Sequence, residues 1–176
     1  MKYLLALSLF LLTLYPVSAQ NTKIDWLSFE ETAQKMKTEP KMVFIDMYTD
    51  WCGWCKKMDK ETFAHPEIAA FMQDNFYMVK FDAERSDTVV YGNRTFVNPN
   101  PGKSRSSHEL AQALLRGKMS YPSYVFMNEE MKIITVVPGF FPPQSFEPVM
   151  YYFGSGAYEN QDWETFSKAF KGTIKP

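Results

Sequence analysis

Apolar and polar positions along this 176-residue chain switch between a helical period of three to four and the continuous apolar runs of buried strands. Residues 20–25 read as an extended lead-in. Ser28 and Glu31 then make a capping-box pattern, with Phe29, Ala33 and Met36 at i, i+4 and i+7, which predicts a first helix to about Lys37. Glu39-Pro40-Lys41 breaks it. Residues 42–48 form an apolar, β-branched and aromatic run with Asp46 as its single acid, the mark of a buried strand. A run of helix formers follows Cys55 to about Thr62, and His65-Pro66-Glu67 restarts a helix with Pro66 at its first position and Ile68, Phe71 and Met72 as its buried stripe. Residues 77–82 read as a second strand. Strand, helical crossover and strand make a parallel βαβ unit.

Residues 88–91 and 94–97 flank Gly92-Asn93, a two-residue hairpin signal. Residues 98–104, rich in Pro and Asn, predict a loop. Ser106 and Glu109 form a second capping-box pattern ahead of Leu110, Leu114 and Leu115, a short helix ending at Gly117. After Tyr121-Pro122, residues 123–127 and 132–137 predict an antiparallel hairpin turned by residues 128–131. Pro138-Gly139 ends it. A helix is expected around residues 145–153, and Asp162 caps a last one with Trp163, Phe166 and Phe170 on one face. The pattern predicts one α/β domain over residues 20–176.

The first nineteen residues read as a secretory signal: Lys2, an apolar core over residues 4–14, and Val17-Ser18-Ala19 as the cleavage site. The apolar run is short for a bilayer span, so cleavage rather than anchoring is expected. Removing Lys2 takes the formal net charge from −1 to −2. Nothing in that balance favours nucleic acid or an anionic membrane surface. The eleven methionines are scattered, as core filler is, rather than gathered into a copper or haem site.

The chain has two cysteines, both in Trp51-Cys52-Gly53-Trp54-Cys55, where the apolar strand gives way to the helical run. An exported protein that spends its cysteines on one adjacent pair is not building a disulfide scaffold. So short a loop restricts the unfolded chain little. No second pair completes a zinc site, so no metal is expected. Three positions apart on the first turn of a helix, the sulfurs meet unpaired N–H groups and the positive end of the dipole, which stabilise a thiolate. The pair itself is then the redox centre, with no separate cofactor. An inert structural disulfide is the competing reading.

Residues 45–56, Ile-Asp-Met-Tyr-Thr-Asp-Trp-Cys-Gly-Trp-Cys-Lys, resemble the thioredoxin signature of strand, acid, aromatic and Trp-Cys-Gly-x-Cys-Lys. The resemblance extends from about Trp26 to Phe153. It implies the thioredoxin fold, a central mixed β-sheet flanked by helices, here with an inserted hairpin-plus-helix segment (about 83–118) before a cis-proline loop. It implies Cys52 as nucleophile and Cys55 as resolving cysteine, Asp46 as the buried acid that handles the proton of the resolving thiol, and Lys80 as the lysine near that acid. Ser120-Tyr121-Pro122-Ser123 resembles the cis-proline loop facing the cysteines, and Gly139 the glycine after the final strand. The Trp-Cys-x-Trp-Cys-Lys-Lys pattern with the insert is similar to exported bacterial thioredoxin-like proteins, some of them like the thiol domains served by membrane electron-transfer proteins.

Each of these residues has a plainer reading. Asp46 can be a strand acid facing solvent, and Pro122 a trans loop proline. Trp51, Gly53, Trp54, Tyr121 and Pro122 are expected to form the substrate-binding surface, although Trp51 alone reads more readily as core. His65 and His108 read as cap or surface residues. The insert is either a recognition element or decoration. Two departures from the family pattern matter. Trp54 stands where thioredoxins carry Pro and strong oxidases His, and Tyr121 is bulkier than the usual residue before that proline. Without a His to stabilise the thiolate, net reduction of protein disulfides is expected over oxidation. The electrons would come from a membrane-bound donor, since no NAD or flavin motif is present. A disulfide isomerase or oxidase is the second reading, although no dimerisation module is legible and a monomer is expected. A non-catalytic binding protein with a static disulfide is the third.

Overall fold

A computed structural model describes residues 23–175; the signal-like segment 1–19 lies outside them. Ser28 caps α1 (Phe29–Lys35) through the reciprocal capping box, its hydroxyl accepting from Glu31 N–H while the Glu31 carboxylate accepts from Ser28 N–H. Four strands form the central sheet, β1 (Met42–Tyr48), β2 (Phe76–Asp82), β5 (Ser123–Met127) and β6 (Ile133–Pro138), in the order β2-β1-β5-β6. β1 and β2 are parallel and are joined through α2 (Gly53–Glu61) and α3 (Pro66–Asn75), while β5 and β6 run antiparallel. The lead-in adds one parallel bridge at the β2 edge, Leu27 to Val79. The sheet is mixed, as expected.

Strand alternation sends successive side chains to opposite faces, and both are buried. Phe44, Met78, Tyr124 and Phe126 point into an aromatic core closed by α2, α3 and α5 (Pro143–Gly154), where Phe146 is fully buried. Val43, Ile45, Val79, Phe81 and Val125 point the other way, against α1, the hairpin of β3 (Val89–Tyr91) and β4 (Arg94–Phe96), and α4 (Glu109–Leu114). The 83–118 segment therefore closes one face of the core, with Val89, Phe96, Leu110, Ala111 and Leu114 all buried. It is part of the folded core rather than decoration.

Three details differ from the sequence reading. α4 is not capped by a Ser106–Glu109 box: His108, fully buried, is its N-cap, its Nδ1 accepting from Leu110 N–H at 3.1 Å. Ser106 instead donates to Asn98 Oδ1, and the Glu109 carboxylate accepts from Val97 N–H. One member of each buried stripe differs: Thr32 is buried in place of Ala33 on α1, and Ala69 in place of Phe71 on α3. α5 starts two residues earlier than expected, with Pro143 as its first residue. The last helix, α6 (Trp163–Ala169), is capped by Asp162 and lays Trp163 and Phe166 against Tyr152, as the pattern predicts.

Candidate functional site

β1 delivers the chain to the site. After Tyr48 a turn closed by Cys52 N–H donating to Thr49 C=O reverses direction, and Cys52 becomes the N-cap of α2. Its Sγ accepts from Cys55 N–H at 3.0 Å, so the sulfur occupies the place of an N-cap side-chain oxygen. Cys52 and Cys55 are joined in a disulfide across this first turn, with Cα atoms 5.3 Å apart, and both are buried. N–H groups at a helix start favour negative charge on a sulfur placed there.

Beneath the motif lies a charged group on the aromatic face. The parallel register sets Asp46 beside Lys80, and Lys80 Nζ meets Asp46 Oδ2 at 2.7 Å. Lys80 also pairs with Asp59, which stands one helical turn beyond Cys55. Asp46 is 1% exposed, and its burial raises its pKa to about 6; Lys80 opposes the rise and Asp59 adds to it. Burial works against the Lys80 ammonium as well, but Asp46 and then Asp59 outweigh it and hold its pKa above the ordinary lysine value. The Lys80 ammonium further sits over the Trp26 ring at 4.9 Å and the Tyr48 ring at 5.1 Å. A cavity of about 480 Å³, lined by Ile24, Trp26, Asp59, Phe63 and Lys80 among others, adjoins this group.

The Tyr121–Pro122 peptide bond is cis, and Pro122 C=O accepts from Gly139 N–H at 2.9 Å. Gly139 has φ +104°, a conformation that glycine alone adopts freely, so its place after β6 is fixed by backbone geometry. Tyr121 lies edge-on to Trp51 at 5.9 Å, which brings the proline loop beside the motif. Trp51 is not core, contrary to the sequence reading: it is 54% exposed, and its indole N–H donates to Glu84. The turn at residues 49–52 swings it off the strand axis. Trp54 is 58% exposed and rests on Phe140, with the Lys57 ammonium 5.4 Å from its ring centroid. Two aromatic pairs, Trp51–Tyr121 and Trp54–Phe140, thus flank the cysteine motif.

Sequence reasoning missed Asp59, Glu84, Phe140 and Arg105, whose guanidinium lies 5.9 Å from the Trp51 ring centroid. Asp59 had a signal, since it is four residues after Cys55 and therefore on the same helix face. The others come from distant loops and left none. Of the two histidines, His108 is a buried cap and His65 the N-cap position of α3, so neither enters the site. Among the described residues no group of three His, Cys, Asp or Glu is placed to hold a metal.

The fold, a Cys-x-x-Cys disulfide at a helix start and a cis-proline loop together define the class of thioredoxin-like proteins. The chain belongs to the thioredoxin-like family, whose model matches residues 25–129. It is 28% identical over 130 residues to Caenorhabditis elegans protein B0495.5, a match covering 73% of this chain and 16% of that protein. It is 35% identical over 78 residues to the thiol:disulfide interchange protein DsbD of Vibrio vulnificus, covering 39% of this chain and 13% of that one. The chain thus matches only a small part of the length of these relatives. A solved thioredoxin from Thermus thermophilus superposes with a TM-score of 0.56 at 12% identity, covering 80% of this chain and 98% of that one, a likeness of fold.

Proposed function

We propose that this protein is an exported thiol-disulfide oxidoreductase that reduces protein disulfides. The observation that carries the reading is the Cys52–Cys55 disulfide on the first turn of α2, with a sulfur already taking a helix N–H. In the dithiol form, the Cys52 thiolate attacks one sulfur of a substrate disulfide. The substrate S–S bond breaks, one substrate thiolate leaves, and a mixed disulfide forms. Cys55, once deprotonated, attacks Cys52 Sγ, which releases the second substrate thiolate and closes the Cys52–Cys55 bond. Two electrons have passed to the substrate, and the cycle needs no metal or organic cofactor.

Asp46 is the proton acceptor for Cys55, since a carboxyl titrating at about 6 is poised near neutral pH. Lys80 steadies the carboxylate once the proton is gone. Trp51, Gly53, Trp54, Tyr121 and Pro122 form the docking surface, with Tyr121 offering its backbone N–H and C=O to an extended substrate. Trp54 brings no charge to the thiolate where an oxidase would place His, which supports reduction. A membrane-bound dithiol donor would regenerate the protein; the resemblance to the Vibrio thiol:disulfide interchange protein supports exchange with a dithiol partner. Export rests on Lys2, the apolar residues 4–14 and Val17-Ser18-Ala19. The protein acts as a monomer in this reading. Reduction of insulin with dithiothreitol as donor tests it: Cys52→Ser should lower the catalysed rate to background, and full retention would end the mechanism.

A further inference from the structure

The whole chain carries a net charge of −1, yet residues 98–120 hold Lys103, Arg105, Arg116 and Lys118 against the single acid Glu109, a local excess of +3. Glu109 is also engaged, accepting from Val97 N–H. Among the described residues none of the four cations is in an ion pair. Two of them, Lys103 and Arg105, line a cavity of about 350 Å³ whose other lining residues include Gln112, Gly117 and Met119. Arg116 and Lys118 have a local use, because they follow the C-terminus of α4, where cations are favoured. Lys103 and Arg105 serve no helix.

Their loop is nonetheless built. Asn98, buried, donates to the carbonyls of Glu84, Arg85 and Ser106 and accepts from Asn100 N–H and the Ser106 hydroxyl. That network ties the loop to the residue that holds the Trp51 indole. Arg105 adopts φ +63°, uncommon for a residue with a side chain, and its guanidinium lies over Trp51, next to Cys52. Ser120, at the far end of the segment, leads directly into Tyr121–Pro122. The basic loop is thereby set beside the Trp51–Tyr121 pair.

We infer that the basic loop is a specificity surface, and that the preferred substrates carry acidic residues next to the disulfide to be reduced. The inference rests on the oxidoreductase reading and adds the substrate class to it. Exposed charges act mainly on encounter and on KM and are screened by salt, so the preference belongs in kcat/KM at low ionic strength.

The test uses three synthetic peptides, each closing one intramolecular disulfide, identical except for flanking Asp-Glu, Ser-Ser or Lys-Lys pairs. The mature protein should reduce the acidic peptide about five- to tenfold faster in kcat/KM than the basic one, with the neutral peptide between. The difference should lie in KM and vanish near 1 M salt, where the screening length is about 3 Å. Lys103→Glu/Arg105→Glu should reverse the order. The salt series on the unaltered protein decides the matter even if that variant folds poorly. Equal rates for all three peptides at low salt would overturn the inference while leaving the oxidoreductase reading standing. Failure to reduce even the neutral peptide would overturn both. Binding to phosphatidylglycerol vesicles that the charge reversal abolishes, without any peptide preference, would assign the patch to a lipid surface and overturn it too.

Discussion

The two faces of the central sheet are made by the same strands and differ in what they bury. On one, Val43, Ile45, Val79, Phe81 and Val125 meet α1, the β3–β4 hairpin and α4 in a core whose buried polar residues include Thr32 and His108, the latter hydrogen-bonded at both ring nitrogens. On the other, Phe44, Tyr124 and Phe126 meet α2, α3 and α5, and the same alternation carries Asp46 and Lys80 to the end nearest the cysteines. Asp46 keeps one carboxylate oxygen, Oδ1, buried without a partner. An unpartnered oxygen on a buried carboxylate costs more than the unpartnered Thr32 hydroxyl that α1 buries on the first face, so the second face gives up more stability for chemistry.

If that contrast is right, substitutions on the two faces should differ in sign. The largest effect belongs to the aliphatic face. Ile45→Ala, at a fully buried position, should cost about 2–5 kcal/mol, read as a lower urea midpoint at unchanged m. Asp46→Asn should do the opposite at neutral pH. Because the folded carboxyl titrates at about 6, above its unfolded value near 3.9, the native state holds a proton that the unfolded state has released. Stability is therefore lost as pH rises through that window. The variant should gain on the order of 1–3 kcal/mol at pH 7–8, partly offset by the partner Lys80 loses, and nothing below about pH 4. A uniform loss at all pH values would show that Asp46 is structural.

His108 sharpens the comparison from the other face. Burial lowers its pKa, and the Arg85 guanidinium adds to that; the ring stays neutral, with Nδ1 accepting from Leu110 N–H and Nε2–H donating to Asp87 C=O. Its contribution is present at neutral pH and is lost as pH falls below the unfolded value near 6.5, by at most about 1.4 kcal/mol per pH unit. His108→Asn keeps a capping acceptor and should flatten the acid limb of a pH-dependent melting series. The smallest effect is expected at the edge: Ser28→Ala removes one half of the α1 capping box and should cost about 1 kcal/mol in urea unfolding, with no change in redox behaviour.

Much of this was legible in the chain. The strands, the parallel βαβ unit and the Asp46–Lys80 juxtaposition follow from apolar runs and motif resemblance, because buried strands and a redox helix start impose strong local patterns. What escaped was decided at long range. The Ser106-x-x-Glu109 spacing fits a capping box, yet Asn98 claims Ser106 and the Val97 N–H claims Glu109, so the cap falls to His108. Trp51 looks like core from its neighbours alone. Its exposure is set by the turn at residues 49–52 and by Glu84, thirty-three residues away. Arg105 reaches the same ring from a loop with no periodicity to read.

The most direct test of the central claim is the reduction potential of the Cys52–Cys55 pair. Equilibration against defined thiol buffers, followed by emission from the adjacent Trp51 and Trp54, would give it. A dithiol built to reduce protein disulfides should equilibrate near about −270 mV, as thioredoxin does. A value near about −120 mV would make the protein an oxidase, and the absence of any redox transition would make the pair structural; either result contradicts the account.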